Sequence, residues 1–344
     1  MKYVVYGGQF GSEGKGSCAE WLLKNRRDAE HLTVFGENSP NSGHTCSLGK
    51  TRNLPAASFF ADDVILGPDS AIDLSVLAHD LQTIKSARGG SVPNVYIHCN
   101  AALLPLTASA HEIEDGLVNR VASTSSGSGF ARAYCKQYLR EELAVVGCAR
   151  KQVAALGYPV HILDHNQYCG AVCAAGSVVD NDCLFECSQG VLLDNSWGYY
   201  PYVTSRCTLP RVAVERNGLG DIDWQYVGVH RCHPIRTGGN SGPTGGDEIR
   251  FEHFGVKPEI ATVTGRTRRL FAFSQRDFQL SVRLARPDII AFTHLDYVEA
   301  LPCIDVKETF ADWYAEPEFE PEFRRPLLLS RKLGEFIEYG QFKF

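Results

Sequence analysis

A glycine-rich segment near the amino terminus constrains the fold of this chain more than any other feature. Residues 4–17 read Val-Val-Tyr-Gly-Gly-Gln-Phe-Gly-Ser-Glu-Gly-Lys-Gly-Ser, an apolar strand followed by a loop with one lysine. Glycine lets the backbone curve around an anion, and the amides that open a following helix are free to bind phosphate. The spacing differs from the common P-loop, because Gln9 stands where that motif has its first glycine and Gly16 where it has a magnesium-binding hydroxyl. The segment therefore predicts a P-loop-like phosphate loop after the first strand, in a separate nucleotide-binding family.

Apolar runs predict the secondary structure of the rest of the chain. Runs rich in Val, Ile, Tyr and Phe predict buried strands over 3–6, 64–66, 95–99, 159–163, 183–187, 226–230 and 288–293. Helical stretches lie between these runs, and such alternation indicates a mostly parallel sheet. We expect an α/β fold with a central sheet flanked by helices and with ligands at the carboxyl ends of the strands. The phosphate loop and residues 292–296 both follow predicted strands.

Three segments carry helix signals. Apolar residues repeat at helical spacing over 74–84, with Ser70 as the predicted cap. Ser109 and Glu112 have the spacing of a capping box. Residues 132–150 mix many charged residues with spaced apolar ones, which predicts an amphipathic surface or interface helix.

Length, composition and charge restrict the class of protein. The 344 residues contain no linker, repeat or block of like charge, so we expect one domain with insertions over 1–344. A net charge of −6 argues against binding to nucleic acid or to an anionic membrane, so ligands should meet local basic loops. The first residues are too short for a signal peptide, and no run is long enough to span a membrane. We expect a cytoplasmic protein.

The twelve cysteines include two CxxxC pairs. Cys169 with Cys173 and Cys183 with Cys187 could together suggest a four-thiolate zinc site. The second pair shares one face of a predicted buried strand, and the first lies in a run of small residues. We interpret all four as small buried hydrophobic residues, and without a secretion signal we expect no disulfides.

Several motifs resemble those of one enzyme family. Residues 7–16 resemble the Gly-x-Gln-Trp-Gly-Asp-Glu-Gly-Lys-Gly that opens adenylosuccinate synthetases. Residues 41–45, Asn-Ser-Gly-His-Thr, resemble the family's Asn-Ala-Gly-His-Thr, and 185–194 resemble its Phe-Glu-Gly-Ala-Gln-Gly-x-Leu-Leu-Asp. Residues 200–205 match Tyr-Pro-Tyr-Val-Thr-Ser, and weaker matches cover 125–129, 264–269 and 293–296. Because the matches follow the family order, the chain is identified as a member.

The resemblance implies the reaction and its site. The family uses GTP and magnesium to phosphorylate the 6-oxygen of inosine monophosphate, and L-aspartate then displaces the phosphate. The implied catalytic residues are Ser12, Lys15, His44 and Gln189. The implied contacts of the acceptor nucleotide are Ser12, Asn41, Ser125, Ser126, Gln189, Thr204, Arg266 and, donated across a homodimer, Arg140.

The remaining implied sites serve the donor, the amino acid and the metal. The donor nucleotide would contact Gly11, Glu13, Gly14, Lys15, Gly16, Ser17, Gly43, His44, Thr45, Arg268, His294 and Asp296. L-Aspartate would contact Thr262, Val263, Thr264, Gly265, Arg266 and Arg268, since arginine forks suit carboxylates. Magnesium would be held by the Gly43 carbonyl and by Ser12.

The chain departs from the family at the catalytic aspartate, which is replaced by Ser12. One interpretation is an inactive relative, because serine is a poor base. The other is a changed substrate: a short neutral side chain leaves room for the 2-amino group of guanine and can accept its hydrogen bond. The second resembles a phage branch of the family, the diaminopurine-type synthetases, which join aspartate to dGMP to make N6-succino-2-amino-2'-deoxyadenylate. We favour this branch, which places the protein in the host cytoplasm if a phage encodes it.

The donor is less closely matched. The family reads guanine with Thr-Lys-Leu-Asp, where this chain has Thr-His-Leu-Asp at 293–296, and the carboxy-terminal Gly-Pro segment is missing. We therefore expect ATP or dATP as the donor. The alternatives are an ordinary synthetase that uses IMP and GTP, and a nucleotide-binding paralogue without turnover.

Overall fold

The computed structural model describes residues 1–133, 145–177, 181–261, 263–299, 327–330 and 336–339. Its strands are β1 Lys2–Gly7, β2 Leu32–Gly36, β3 His44–Cys46, β4 Gly49–Thr51, β5 Asp63–Leu66, β6 Ala71–Ile72, β7 Asn94–His98, β8 Ala102–Leu103, β9 Val160–Leu163, β10 Asp182–Gly190, β11 Gln225–Arg231, β12 Ile235–Arg236, β13 Glu248–Ile249, β14 Arg269–Phe271, β15 Ile289–Thr293, β16 Leu327–Ser330 and β17 Phe336–Tyr339. Its helices are α1 Lys15–Arg26, α2 Leu74–Ala87, α3 Ala108–Glu114, α4 Leu117–Val121, α5 Ser128–Ala133, α6 Arg150–Ala154, α7 His165–Ser177, α8 Pro210–Arg216, α9 Gln275–Ala285 and α10 Asp296–Glu299.

A mostly parallel sheet forms the centre of the fold. Among the described residues it has ten strands in the order β17-β16-β15-β11-β1-β10-β2-β5-β7-β9. Every neighbouring pair is parallel except β16 with β17. The predicted α/β class and all seven predicted strands are confirmed, whereas β2 was missed although its sequence, Leu-Thr-Val-Phe-Gly, is fully buried.

The two faces of the sheet belong to different parts of the core. Along β1, Tyr3 and Val5 pack with α1 and α2 residues, while Val4 and Tyr6 pack on the opposite face against α7, α8 and Trp224. This alternation follows from the two-residue period of a strand. Both faces are covered, so the strand can be apolar throughout. The carboxyl ends of the strands are then the part of the sheet left open for ligands.

Two predicted caps are wrong. Helix α2 begins after Asp73, whose carboxylate accepts hydrogen bonds from the amides of Ser75 and Val76. Ser70 lies outside this helix and is completely buried. The predicted capping box falls inside α3, where Ser109 Oγ donates to the Ser125 carbonyl and Glu112 instead accepts from the Gly129 amide. Tertiary partners compete here with the local pattern.

The predicted helix over 132–150 falls largely outside the described residues. Its described ends are not one helix, because Arg132 belongs to α5 and Val146–Ala149 forms a short 3₁₀ turn. Of the four cysteines, Cys183 and Cys187 are buried as predicted, but Cys169 and Cys173 are exposed on α7. The described part of the chain contains no cluster of three or more potential metal ligands among His, Cys, Asp and Glu. A search of the same residues finds no helix long and apolar enough to cross a membrane.

Candidate active site

A cavity of about 510 Å³ lies at the carboxyl ends of the central strands. Its size is in the range of sites that hold small ligands. Twelve of the implied site residues line it: Gly11, Ser12, Lys15, Asn41, Gly43, His44, Ser126, Gln189, Thr204, Val263, Thr264 and Arg268. Four of the lining residues are lysine or arginine, namely Lys15, Arg120, Arg236 and Arg268, and Glu112 is the acidic residue. The cavity therefore suits an anionic ligand although the whole chain is acidic.

The phosphate loop connects β1 to α1. Gly11 and Gly14 have φ near 90°, which glycine adopts without strain, and Ser12 also has a positive φ of 61°. Gly14 caps α1 without any side-chain hydrogen bond to the first helical amides. Those amides remain available to an anion, and the helix dipole adds partial positive charge there. The predicted strand, phosphate loop and helix are all present.

Glu13 holds this loop from inside. Its side chain is completely buried, and it accepts from the amides of Gln9 and Gly11 and from Lys15 Nζ at 2.9 Å. Both carboxylate oxygens are thus engaged within the loop, and the donor contact of Glu13 stays a prediction. Lys15 is 8% exposed and lines the cavity, so Glu13 orients this ammonium group.

The loop is also tied to two neighbouring strands. Gln9 exchanges two hydrogen bonds with the backbone of Arg231 at the end of β11. Thr293 Oγ1, at the end of β15, donates to the Glu13 carbonyl at 2.7 Å. Gly16 lies against the Thr45 carbonyl, where an added Cβ would come within 2.3 Å. This glycine is therefore required for packing α1 against β3.

His44 forms a buried pair with Glu186. Its Nδ1 lies 2.8 Å from Glu186 Oε1, and the other carboxylate oxygen accepts from the Ala57 amide at 3.0 Å. Burial tends to raise the pKa of Glu186, but the hydrogen bond and charge of His44 and the amides outweigh it, so this pKa is lowered. His44 Nε2 has no hydrogen-bond partner in the described structure. The pair therefore fixes the imidazole and leaves Nε2 for a ligand.

Backbone strain is concentrated around the cavity. In the described residues, positive φ angles outside glycine occur at Ser12, Ala122, Ser125, Gln189, Arg286 and His294. Four of these six positions are implied site residues, and Ala122 lines the cavity. Such conformations cost free energy and collect at functional sites. Gln189 is the clearest case, because both polar atoms of its side chain are buried without a protein partner there.

Asn41 is oriented by a short chain of hydrogen bonds. Arg132 Nη2 donates to Ser39 Oγ at 3.2 Å, and Ser39 Oγ donates to Asn41 Oδ1 at 2.7 Å. The amide oxygen of Asn41 is thereby engaged, which leaves its nitrogen as a donor toward the cavity that Asn41 lines. No sequence pattern identifies Arg132, because its partner is more than ninety residues away.

The serine segment after α4 is only partly in the cavity. Ser126 lines it and lies 2.9 Å from Ser128 Oγ. Ser125 instead turns its backbone into contacts with Ser109 and Ser123 and is absent from the lining. Thr204 is on the cavity wall, and its amide donates to the Leu193 carbonyl.

Residues 259–261 and 263–268 form the two arms of an irregular hairpin beside the cavity (the 259–268 hairpin). Arg268 N donates to the Glu259 carbonyl and Ala261 N to the Arg266 carbonyl, both at 2.8 Å. Val263, Thr264 and Arg268 line the cavity. The Arg266 guanidinium makes no hydrogen bond or ion pair within the described structure, whereas Arg268 Nη1 pairs with Glu259 at 2.9 Å. Gly265 is exposed at the turn.

The remaining implied donor residues lie next to this hairpin or at the phosphate loop. His294 follows β15 in a left-handed conformation, and Asp296 opens α10. Tyr297 on α10 donates to Glu259, which also pairs with Arg231. Ser17 is buried in the first turn of α1, and Thr45 is exposed on β3. Arg140 and Thr262 lie outside the described residues.

A magnesium ion fits this site only together with phosphate ligands. The implied protein ligands are the Ser12 hydroxyl and the Gly43 carbonyl. Both residues are exposed and line the cavity. The nearby Glu13 carboxylate is engaged with the loop and Lys15. Magnesium usually keeps waters and substrate phosphates among its ligands, so two neutral protein oxygens are compatible with it.

Sequence and structure comparisons now identify the family. The adenylosuccinate synthetase pattern matches residues 162–320. The N6-succino-2-amino-2'-deoxyadenylate synthase of Vibrio phage phiVC8 is 30% identical over 312 residues, covering 87% of each chain. An adenylosuccinate synthetase of Desulforudis audaxviator is 28% identical, covering 88% of this chain and 79% of its own.

Two solved structures share the fold. The succinoaminodeoxyadenylate synthetase of cyanophage S-2L, bound to dGMP and to dATP as an energy donor, superposes with a TM-score of 0.78 at 22% identity, covering 98% of this chain and 94% of the other. Fully ligated adenylosuccinate synthetase from Plasmodium falciparum gives a TM-score of 0.65 at 19% identity, covering 86% and 77%.

The chain belongs to the adenylosuccinate synthetase family, whose members are carbon–nitrogen ligases of purine nucleotide synthesis that generally use magnesium. Within the family it is similar to the phage synthases of the diaminopurine type.

Proposed function

We propose that this protein joins L-aspartate to C6 of dGMP, with ATP or dATP as the phosphoryl donor. The product would be N6-succino-2-amino-2'-deoxyadenylate, a precursor of 2-aminoadenine in phage DNA. The proposal is supported by the named phage relatives and by the retained motif residues around one cavity.

The serine at position 12 is the observation that supports dGMP, and not IMP, as the acceptor. It lines the cavity with an exposed side chain, and His44 and Gln189 line the same cavity. A carboxylate at this position would occupy more space than a hydroxyl. The serine leaves room for the guanine 2-amino group and can accept a hydrogen bond from it. Hypoxanthine lacks that group and would not make this hydrogen bond.

The chemistry has two steps. The 6-oxygen of guanine attacks the γ-phosphorus of the donor, the bond from that phosphorus to the nucleoside diphosphate breaks, and the N1 proton of guanine is released. The amine of aspartate then attacks C6 and loses a proton, the C6–O bond breaks, and phosphate leaves. Negative charge on the phosphate oxygens would be stabilised by Lys15, which lines the cavity, and by the amides that open α1. Magnesium would add charge neutralisation on the phosphates, with Ser12 and Gly43 as protein ligands.

His44 would assist at the 6-oxygen through Nε2. Its Nδ1 is fixed by Glu186, a carboxylate whose lowered pKa keeps it ionised at neutral pH. An imidazolium that forms during turnover would be stabilised by this neighbour, as in other histidine–carboxylate pairs. The side-chain oxygen and nitrogen of Gln189 would both hydrogen-bond to the guanine base, and Asn41 would donate to the phosphate of dGMP.

The finer assignments extend this proposal. Arg266, whose guanidinium is free of protein partners in the described structure, would bind a carboxylate of aspartate. His294 in place of the family's lysine supports an adenine donor. A homodimer would let Arg140 of one subunit reach the acceptor phosphate of the other.

A substrate panel tests the proposal. Purified protein with magnesium, L-aspartate and ATP is assayed with dGMP, GMP or IMP, and both phosphate release and the succinyl adduct are measured. We expect adduct from dGMP and much poorer use of IMP. Equal or faster turnover of IMP would indicate an ordinary synthetase, and nucleotide binding without phosphate release would indicate a non-catalytic paralogue.

A further inference from the structure

Glu259 joins three separate parts of the site through one carboxylate. Oε2 lies 2.9 Å from Arg268 Nη1 and 3.3 Å from Arg231 Nη1. Oε1 accepts from Arg231 Nη2 and from the Tyr297 hydroxyl. These partners come from the hairpin that lines the cavity, from the end of β11 and from α10.

Arg231 carries this contact on to the phosphate loop. Its guanidinium is 1% exposed and donates to the Ser12 carbonyl at 3.1 Å. Its backbone exchanges hydrogen bonds with the Gln9 side chain. Glu259 is therefore one residue removed from the strained backbone of Ser12. A shift of the Glu259 carboxylate would move Arg231 and so change the position of the phosphate loop.

Tyr297 carries the contact toward the donor site. It lies on α10, directly after the segment that holds His294 and Asp296. Its ring is 5.9 Å from the His294 ring, in an edge-to-face arrangement. The Tyr297 hydroxyl is thus a link between the donor segment and the carboxylate that holds Arg268.

Electrostatics make this link strong. Burial tends to raise the pKa of Glu259, but the charge and hydrogen bonds of Arg231 and the Tyr297 hydroxyl lower it to about 2. The group is ionised at neutral pH and faces two guanidinium groups that are 1% and 14% exposed. Without the carboxylate, both cations would repel each other in a site poor in water. Arg268 would then leave its present position in the cavity wall.

We propose that Glu259 is a positioning residue that fixes Arg268 for aspartate and couples aspartate binding to donor binding through Tyr297. The identity of the two ligands rests on the proposed function. The coupling itself rests on the contacts above. It is a free energy that each ligand contributes to the binding of the other, so it can be measured from either side.

Binding measurements test the coupling without turnover. The affinity of a non-hydrolysable ATP analogue is measured by calorimetry with and without saturating L-aspartate, in the presence of magnesium and the acceptor nucleotide. In the parent protein we expect aspartate to tighten analogue binding about tenfold. In Tyr297→Phe we expect this factor to fall close to one, because the link to α10 is cut while both ion pairs remain. A coupling factor unchanged in Tyr297→Phe overturns the proposed path.

Steady-state kinetics test the positioning of Arg268. Glu259→Gln should raise the KM for aspartate at least tenfold, with a smaller change in kcat and in the KM for the acceptor. Glu259→Asp, which keeps the charge, should recover part of the loss. The matched control is Glu248→Gln, which breaks an exposed arginine pair in the adjoining strand and should change none of these constants. Equal changes in all constants, or an equal effect in the control, would show a merely structural role.

The experiments separate this proposal from the proposed function. Each measurement is made with dGMP and, in parallel, with IMP. A parent that uses IMP and ignores dGMP overturns the proposed acceptor, yet the effects of Glu259→Gln and Tyr297→Phe are still read with IMP. If Glu259→Gln fails to fold by circular dichroism, Tyr297→Phe alone decides the coupling.

Discussion

The two sides of the cavity are held together in different ways. On the side formed by the loops after β1, β2 and β10, which includes the proposed acceptor contacts Ser12, Asn41 and Gln189 (the acceptor side), two buried carboxylates each hold one proposed catalytic group: Glu13 holds Lys15 and Glu186 holds His44. On the donor side, formed by the segments after β11 and β15 with the 259–268 hairpin, Glu259 is shared by Arg231, Arg268 and Tyr297.

This difference predicts which substitutions act locally, although the two sides are joined by the hydrogen bond from Arg231 to the Ser12 carbonyl. The acceptor pairs are separate, so a substitution at Ser12 can alter the choice of base without disturbing the His44–Glu186 pair. The donor side is one network, so a change there reaches the aspartate hairpin and the donor segment together. Residues in direct contact or in one ion-pair network are expected to be non-additive, whereas separate pairs add.

The largest effect should come from His44 on the acceptor side. Changing His44 to alanine removes the group proposed to act at the 6-oxygen and leaves Glu186 as a buried carboxylate without its partner. We expect kcat to fall about a hundredfold or more. His79→Ala, at an exposed position on α2, serves as the control and should leave kcat unchanged. Measured phosphate release that is equal in both variants would remove His44 from the chemistry.

A somewhat smaller effect should follow from restoring the family aspartate at Ser12. Ser12→Asp would crowd the guanine 2-amino group, although a contact with that group would offset part of the loss. We expect kcat/KM for dGMP to fall about 10- to 100-fold, with a weaker gain for IMP. Ser12→Ala controls for the loss of the hydroxyl alone. A Ser12→Asp variant that is faster on dGMP would show that selectivity lies elsewhere.

The acceptor side was largely predictable from sequence because short motifs encode it. Ser12, Lys15, His44 and Gln189 were named from their motifs, and the structure brings them to one cavity. Glu186 lies in the motif at 185–194, but that motif predicts no role for it, and its contact with His44 spans 142 positions. Such pairing depends on β10 lying beside β2, which no local pattern specifies.

The donor side was less predictable for the same physical reason. Arg231 and Glu259 lie in no recognised motif, and their pairing depends on the end of β11 meeting the hairpin. Local signals also failed where tertiary contacts competed with them: Ser109 bonds to Ser125 rather than capping α3, and Cys169 is exposed although its neighbours are small. The roles of all the implied site residues, with Arg140 and Thr262 among them, and a single domain over 1–344 stay predictions.

The two arginines of the hairpin offer a finer comparison. The Arg268 guanidinium is held by Glu259, whereas the Arg266 guanidinium has no hydrogen bond or ion pair within the described residues and is free to bind a ligand. Arg266→Leu should therefore raise the KM for aspartate about tenfold with little change in kcat, because a carboxylate loses its charged fork. Arg276→Leu, at an exposed position on α9, is the control for lost charge. A change confined to the nucleotide constants would mean that the hairpin does not bind aspartate.

The smallest effect concerns stability and contrasts His44 with His230, a second buried imidazole. His230 packs edge-on against Phe278, and neither ring nitrogen has a hydrogen-bond partner in the described structure. Burial lowers the pKa of His230 to about 3, from an ordinary value near 6.5. Below pH 6.5 the unfolded chain therefore binds a proton that the folded chain excludes. The free energy of unfolding then falls by about 1.4 kcal/mol for each unit by which the pH is lowered. Above pH 6.5 this contribution to the pH dependence vanishes.

Replacing His230 with leucine should remove that acid sensitivity. Leucine is close in volume and leaves no unsatisfied buried nitrogen, so we expect equal or higher stability at pH 7. The gain over the parent should grow by about 2 kcal/mol between pH 6.5 and pH 5, measured by urea unfolding at each pH. His79→Leu, exposed on α2, should show no such growth. If the curves of parent and His230→Leu run parallel across this range, His230 must take up its proton in the folded protein. The imidazole would then have a charged or hydrated environment, and the contrast with the paired His44 would be lost.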